Sequence, residues 1–570
     1  MSDTNSTVDN KVMDLREAID RYIKDGMMLY MDNSGAAGYE IIRQFWGKHP
    51  YFTVIMNMFS GPVVGGLIHG GLLKKGIFCN CSDIFPKPTP TAVIQRAYSG
   101  KTVELESWTM GTINNALTAG TLQLPFMPTR SIIGTSMAEE NKHSFTMVDD
   151  PFGNGKIGAV KAFVPDMALV HAWAADTAGN VIVGPGGMGD PAGVTASKGG
   201  AIVTVERIVS TDFIMEHPQF SRISRYWVTA VCLAPHGGHP HSISGLNDPG
   251  PSAFEDYNED IYMMDRKFLQ EYRQASEDPG TLDEWIAEWV LNCKTQSDYV
   301  EKLGAQPLSE LKVGGGSSTR QSRKTAEVKK PDVQRPYNDV EFFIIGAIRK
   351  LKEITLKNDY KTIFAGVGLS ALAGWGSVIS LEDVGHQLDM LVPIPLGYGA
   401  PPRRVVPGGG GASGAAVGGV NSSCIGLLAA AQIDKYGNMN STKIDENTFI
   451  AGPSGGGDVA VGAREVVVVT RQRKGRFLDK VPYITMSGTN VSTLVTEEGI
   501  FEKNGGPEFV LTEYFPRQNV PDKDERIRQI GETLGWELKV SPQVKEASPP
   551  ITEELELLRS LDPDGMWTSR

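Results

Sequence analysis

Two features of this 570-residue chain have the residue types and spacing to do chemistry. One is an acid set behind a glycine turn, and the other is a run of glycines able to hold an anion. The acid is Glu382, inside the stretch 361–389, KTIFAGVGLSALAGWGSVISLEDVGHQLD. Here 362–365 reads as a strand, Gly366-Val367-Gly368 as a turn, 369–375 as a helix and 377–381 as a second, β-branched strand. On that reading Glu382 and Asp383 fall at the carboxyl end of the second strand. An open α/β sheet binds ligands at that edge, beside the glycine turn after its first strand. Either the glycines cradle a dinucleotide whose ribose the acid holds, or the acid reacts with a bound thioester.

The glycine run is Pro453-Ser454-Gly455-Gly456-Gly457-Asp458. Consecutive glycines let backbone N–H groups converge on an anion or an oxyanion. The weaker candidates carry less chemistry. His236-Gly-Gly-His239-Pro-His241 has no distant Cys or His pair to complete a metal site, so no metal is expected. Gly153-Asn-Gly-Lys156 lacks the spacing and the following Ser or Thr of a phosphate loop. Cys79 and Cys81 read as buried structural thiols. Glu104 and Glu106 are reserve acids whose plain reading is a solvated surface.

The elements that must position these groups occur twice. Near the N-terminus, 14–25 reads as a helix, 27–31 as a strand, 33–35 as a turn, 39–46 as a helix and 51–59 as a second strand ending at Ser60. The helix 340–354 and the stretch from Thr362 restate that order. Each half also has a strand, an Asp-x-x-Gly-Asn turn and another strand, around Asp176-Gly179-Asn180 and Asp434-Gly437-Asn438. Strands at 201–205 and 466–470 follow. The sequence therefore predicts an α/β chain of two related open, mostly parallel-sheet domains made by internal duplication. Residues 303–338, with Gly314-Gly315-Gly316 and the basic run 320–330, read as a tether. A charged helical tail, 258–304, lengthens the first copy. In that copy the second strand ends at Asn57-Met58-Phe59-Ser60 without an acid, which assigns the chemistry to the second half.

Composition sets outer limits. Hydrophobic residues at 41% and charged residues at 21% describe an ordinary globular chain of several domains. A net charge of −12 disfavours nucleic acid as a partner. Five cysteines with no CxxC pair fit a reducing compartment, and the polar residues 1–11 lack the apolar core of a signal peptide, so a cytoplasmic location is expected. The longest uncharged run, 405–433, begins with four glycines from Gly408 to Gly411 and reads as a ligand loop entering a buried strand. No membrane span is expected.

Taken together, these motifs resemble the class I coenzyme A transferases of the glutaconate CoA-transferase type, with the two kinds of subunit, A and B, fused in one chain. Residues 12–240 are similar to the A subunit through Ala119-Gly120, the run from Leu124 to Arg130, the run from Ala168 to Val181, and Pro235 to Pro240. Residues 338–567 are similar to the B subunit through Gly366-Val-Gly368, Gln432-Ile-Asp434 with Gly437-Asn438, Ser454 to Gly457, and the tail from Gly535-Trp536 to Gly565. The resemblance implies domains at 1–304 and 338–570 joined by 305–337. It implies a ping-pong reaction in which Glu382 attacks an acyl-CoA thioester and passes through a glutamyl-CoA thioester. It further implies CoA or oxyanion contacts at Gly366, Gly368, Ser454, Gly455, Gly456 and Gly457, and substrate contacts at Ser34, Ser60 and Gln432. The implied ligands are an acyl-CoA and a carboxylate, with no permanently bound cofactor, in a homo-oligomer. Glu382 is followed by Asp383-Val384-Gly385, one residue longer than the family's usual context. The alternatives are a CoA-ester hydrolase or retro-Claisen ring-cleaving enzyme on the same fold, a dinucleotide oxidoreductase using Gly366-x-Gly368-x-x-Ala371, and a non-catalytic CoA-binding protein.

Overall fold

The computed structural model describes residues 10–83, 87–153, 155–184, 192–243, 260–312, 331–391 and 423–569. The glycine loop at 408–419 and the basic run 320–330 lie outside the described residues.

The first half is built on β1 (Met28–Asp32), β2 (Phe52–Ile55), β3 (Leu73–Phe78), β4 (Glu104–Ser107), β5 (Met167–Ala175), β6 (Val181–Ile182), β7 (Ala201–Ile208) and β8 (Val228–Leu233). The sheet runs β6-β5-β1-β2-β3-β4, with β7 against β5 and β8 against β7. Every one of these pairings is parallel except β5 with β6. Strand β5, MALVHAWAA, is buried along its whole length, as a central parallel strand covered on both faces must be. Helices α1 (Gly35–Phe45) and α2 (Gly61–His69) follow β1 and β2, and α3 (Met110–Thr121) follows β4. The tail after residue 260 folds into helices at Arg266–Ala275, Pro279–Ile286 and Gln296–Leu303. Phe268, Tyr272, Trp285 and Tyr299 carry it into the core of the first half.

The second half opens with α4 (Asp339–Asn358), whose start is set by a capping box between Asn338 and Glu341. It continues through β9 (Thr362–Ala365), α5 (Leu369–Glu382), β10 (Asp389–Met390), β11 (Cys424–Leu428), α6 (Gly456–Gly462), β12 (Glu465–Val469), β13 (Val491–Val495) and the C-terminal α7 (Thr552–Leu561). Its sheet runs β10-β9-β11-β12-β13 and then three further strands. The neighbours of β9 match those of β1 one for one, with β10 for β2, β11 for β5, β12 for β7 and β13 for β8.

The two Asp-x-x-Gly-Asn turns have the same bonding. Asn180 donates its backbone N–H to Asp176 Oδ1 and its side-chain amide to Asp176 Oδ2, both at 2.8 Å. Asn438 does the same to Asp434 at 3.0 and 3.1 Å.

One expected element is wrong. Residues 377–381 are not a strand but the last turns of α5, which continues unbroken from Leu369 to Glu382. Ser370 through Val378 are all buried, so the helix has lost the polar face whose period would have marked it. A short β-branched run inside a buried helix is indistinguishable from a strand by pattern alone. The second strand is instead β10, with Thr362 opposite Asp389 and Ile363 opposite Met390.

Candidate functional site

Parallel strands deliver their carboxyl ends, and the turns that follow, to one edge of each sheet. In the first half, that edge beyond β3 and β4 carries Cys79, Asn80, Trp108 and Thr109. In the second it carries Gly366 to Gly368 after β9 and the start of α6. The two edges meet along a seam. Ser454 N–H donates to Cys79 O at 2.8 Å, Met110 N–H to Ser454 O at 3.0 Å, and Cys81 N–H to Ala451 O at 2.8 Å. Asn80 Nδ2 donates to Ser454 Oγ at 2.6 Å. Ser454 holds a left-handed backbone with φ of 50°, a conformation a non-glycine residue keeps only when its surroundings impose it. The expected anion loop, Ser454 to Gly457, is thus one of the pieces of the second half that hook onto the first. Its glycines allow close packing: a Cβ on Gly457 would lie 2.5 Å from Thr109 Cγ2, and one on Gly456 would lie 2.7 Å from Met486 Sδ.

Asp458, which sequence reasoning passed over, is buried at this seam. It accepts the Gly111 N–H at 2.8 Å, and the Ser131 and Thr109 side chains lie beside its carboxylate. Burial pushes its carboxyl up to about 6. Asp83, buried against Arg273, is likewise raised to about 6 by burial. A carboxyl whose folded pKa is raised binds its proton more tightly in the native state. Its penalty on stability is therefore absent below the unfolded pKa, grows through the window from about 4 to about 6, and is complete above. For Asp458, a shift from 3.8 to about 6 corresponds to about 3 kcal/mol. Asp458→Asn is therefore expected to flatten the fall in stability between pH 4 and 7 that denaturant melts of the wild type show. An unchanged pH profile would refute the assignment.

Glu382 does not stand at this edge. Helix α5 begins at the glycine turn and runs back across the sheet, and its 14 residues carry Glu382 about 20 Å from Gly368. Glu382 and Asp383 are exposed at the amino edge. The chain there returns to the sheet with His386 Nε2 at 2.9 Å from Tyr360 O and Asp389 N–H donating to Lys361 O at 2.9 Å. The strand that does end beside the turn is β10, and from Leu391 to Ile433 the sequence contains no Asp or Glu. Neither copy therefore has an acid after its second strand.

The other candidates are distributed as follows. Gln432 is buried and engaged within the second half, accepting from Asn440 Nδ2 at 2.8 Å and donating to Gly475 O at 3.3 Å. Ser60 precedes α2 and bonds Asp83. Ser34 precedes α1, buried, with no hydrogen-bond partner for its hydroxyl among the described residues. Glu106 is buried rather than solvated, taking Trp108 Nε1 at 2.7 Å and pairing with Lys75 and with His143 at 2.9 Å. Glu104 pairs with Lys75 at 2.9 Å. The histidine cluster is bound by protein: His236 N–H donates to Glu206 at 2.7 Å, and His239 meets Tyr299 Oη at 2.6 Å and Asp265 at 3.3 Å. Burial pushes His241 down to about 4. Among the described residues no group of three or more His, Cys, Asp or Glu side chains could hold a metal ion, and no helix is long and apolar enough to cross a membrane.

Residues 12–233 match the family model described as Coenzyme A transferase. That match covers most of the first half of the chain. The A subunit of glutaconate CoA-transferase from Acidaminococcus fermentans is 29% identical over 332 residues, covering 54% of this chain and 96% of its own length. The B subunit of 3-oxoadipate CoA-transferase from Pseudomonas knackmussii is 30% identical over 158 residues, 24% of this chain and 58% of its own length. The apoenzyme of an acyl-CoA transferase from E. coli O157:H7 shares the fold, with a TM-score of 0.64 at 15% identity over 95% of this chain and 96% of that one. The chain is thus an α/β enzyme whose two halves are similar to the two kinds of coenzyme A transferase subunit.

Proposed function

We propose that this enzyme moves coenzyme A between an acyl-CoA and a carboxylic acid, with both reactants held at the seam between the two carboxyl edges. Residues 1–304 serve as the A-like domain, 305–337 as the tether and 338–570 as the B-like domain. Separate similarities to the two kinds of transferase subunit support this division. The five cysteines are free and buried, which suits a reducing compartment such as the cytoplasm.

The observation that shapes the mechanism is the absence of an acid from 391–433, together with the position of Glu382 at the far end of α5. A ping-pong route through a glutamyl-CoA thioester needs a glutamate beside the bound thioester; Glu382 is remote from the seam, and the acid that is buried there, Asp458, is an aspartate bonded to Gly111 N–H. Transfer inside a ternary complex needs none. The acceptor carboxylate attacks the thioester carbonyl, the C–S bond breaks, and CoA thiolate and a mixed anhydride form. The thiolate then attacks the acceptor-derived carbonyl of the anhydride, forming the new thioester and releasing the first acid.

The same missing acid favours one second reading, in which water takes the place of the acceptor and the CoA ester is hydrolysed. A ring-cleaving hydrolase subunit of Mycobacterium tuberculosis is 24% identical over 258 residues. A panel of acyl-CoA esters incubated with and without carboxylate acceptors separates the two. Transfer yields new acyl-CoA only with an acceptor present, hydrolysis yields free CoA without one, and neither product from any ester would overturn both.

A further inference from the structure

Helix α5 starts at the glycine turn without a side-chain cap. Gly368 precedes it with φ of 78°, and Leu372 N–H is bonded back to Gly368 O at 3.0 Å. The amides of Leu369, Ser370 and Ala371 therefore have no carbonyl within the helix and point out of its end. Beside them the Ser370 side chain is wholly buried, and its hydroxyl has no hydrogen-bond partner among the described residues. The side chain lies beside the turn, with Ser370 Cβ and Oγ 3.8 and 4.0 Å from where a Cβ on Gly366 would be. A buried hydroxyl without a partner is costly, and four donors converging at a helix start form an anion site.

The duplication supplies a comparison within the molecule. Helix α1 follows β1 as α5 follows β9, and there the protein closes the helix end itself. Ala36 N–H donates to Gly237 O at 2.8 Å, and a Cβ on Gly35 would lie 2.7 Å from the carbonyl oxygens of both Gly237 and His239. No described carbonyl does this for α5. Instead, the Trp567 ring lies over the turn, 3.4 Å from where a Cβ on Gly368 would be. From Thr362 to Pro402 the sequence has no Lys or Arg, so the stretch offers hydrogen bonds and a helix end but no cation. That suits a singly charged carboxylate better than a phosphate group.

We propose that the amides of Leu369, Ser370 and Ala371 and the Ser370 hydroxyl form the subsite for the carboxylate of the acceptor acid. The assignment rests on the reading of the enzyme as a CoA-ester enzyme with a carboxylate substrate. Titration calorimetry of the CoA-saturated full chain with acetate, butyrate, glutarate and benzoate tests it without turnover, so an inactive enzyme would sink the functional reading and leave this measurement standing. Ser370→Ala is expected to weaken binding of the carboxylate that the wild type takes by about 10-fold, the loss of one charge-assisted hydrogen bond. Ser370→Pro removes the hydroxyl and an amide that makes no helix bond, at a first-turn position where proline is tolerated, and is expected to weaken binding by about 100-fold. Thermal melts establish that each variant is folded, and Ser370→Ala alone decides if the proline variant is not. Unchanged carboxylate binding in a folded variant, no binding of any of the four acids to the wild type, or weaker binding of CoA or inorganic phosphate with carboxylates spared would each overturn the assignment.

Discussion

Valine in place of Gly457 is expected to lower kcat/KM for any CoA ester by about 100-fold or more, the cost of displacing reacting groups by about an ångström. Gly457 is buried at the seam, and its missing Cβ would lie 2.5 Å from Thr109 Cγ2. The loop cannot slide away, because Ser454 is bonded to Cys79 O and to Met110 N–H on the first half. Relief must therefore come from moving one carboxyl edge off the other, which separates the two walls of the site while leaving each sheet intact. A circular dichroism spectrum and a melting temperature close to those of the wild type, with activity lost, is the expected pair of results. Full activity in Gly457→Val would show that the seam does not hold the reactants.

Replacement of Arg559 by leucine is expected to cost about 3–5 kcal/mol, as removal of one partner of a buried ion pair does. Arg559, on α7, donates to Glu341 of α4 from Nε at 2.7 Å and Nη2 at 3.0 Å, and the Glu341 side chain has no exposed surface. Arg335 also pairs with Glu341, at 2.7 Å, but from an exposed position, so it offsets only part of the loss. Because α7 leads to Trp567 over the Gly368 turn, the variant is also expected to raise the KM for the carboxylate. Scanning calorimetry should show the transition of the second half about 10 °C lower. A shift of less than about 2 °C would mean the pair contributes no more than a surface bridge.

The duplication was legible because its signal is local. The Asp176 and Asp434 turns each fix their own geometry through an aspartate that accepts from residues two to four positions further on, and no distant partner is needed. The pairing of the seam was not legible, since nothing local in Ser454 to Gly457 says that Cys79 and Thr109 will meet it. Asp458 was in plain view behind three glycines, but its chemistry comes from burial, which only the packed halves create. Glu382 was misplaced for the opposite reason. Its helix is buried on nearly all sides, the apolar period is erased, and Ser377 to Leu381 took on the look of a strand. That one slip moved an exposed acid from the amino edge of the sheet to the carboxyl edge. Ser370 had no sequence signal at all, because an unpaired hydroxyl is a property of its neighbours.

The exchange rate of Glu382→Gln, measured with the best acyl-CoA and carboxylate pair and compared with the wild type, tests the central claim most directly. With the reaction at the seam and Glu382 about 20 Å away along α5, the variant should retain its rate within about 2-fold, as an exposed substitution remote from the chemistry does. Loss of exchange in a folded Glu382→Gln protein, with a glutamyl thioester trapped on Glu382 in the wild type, would contradict the account.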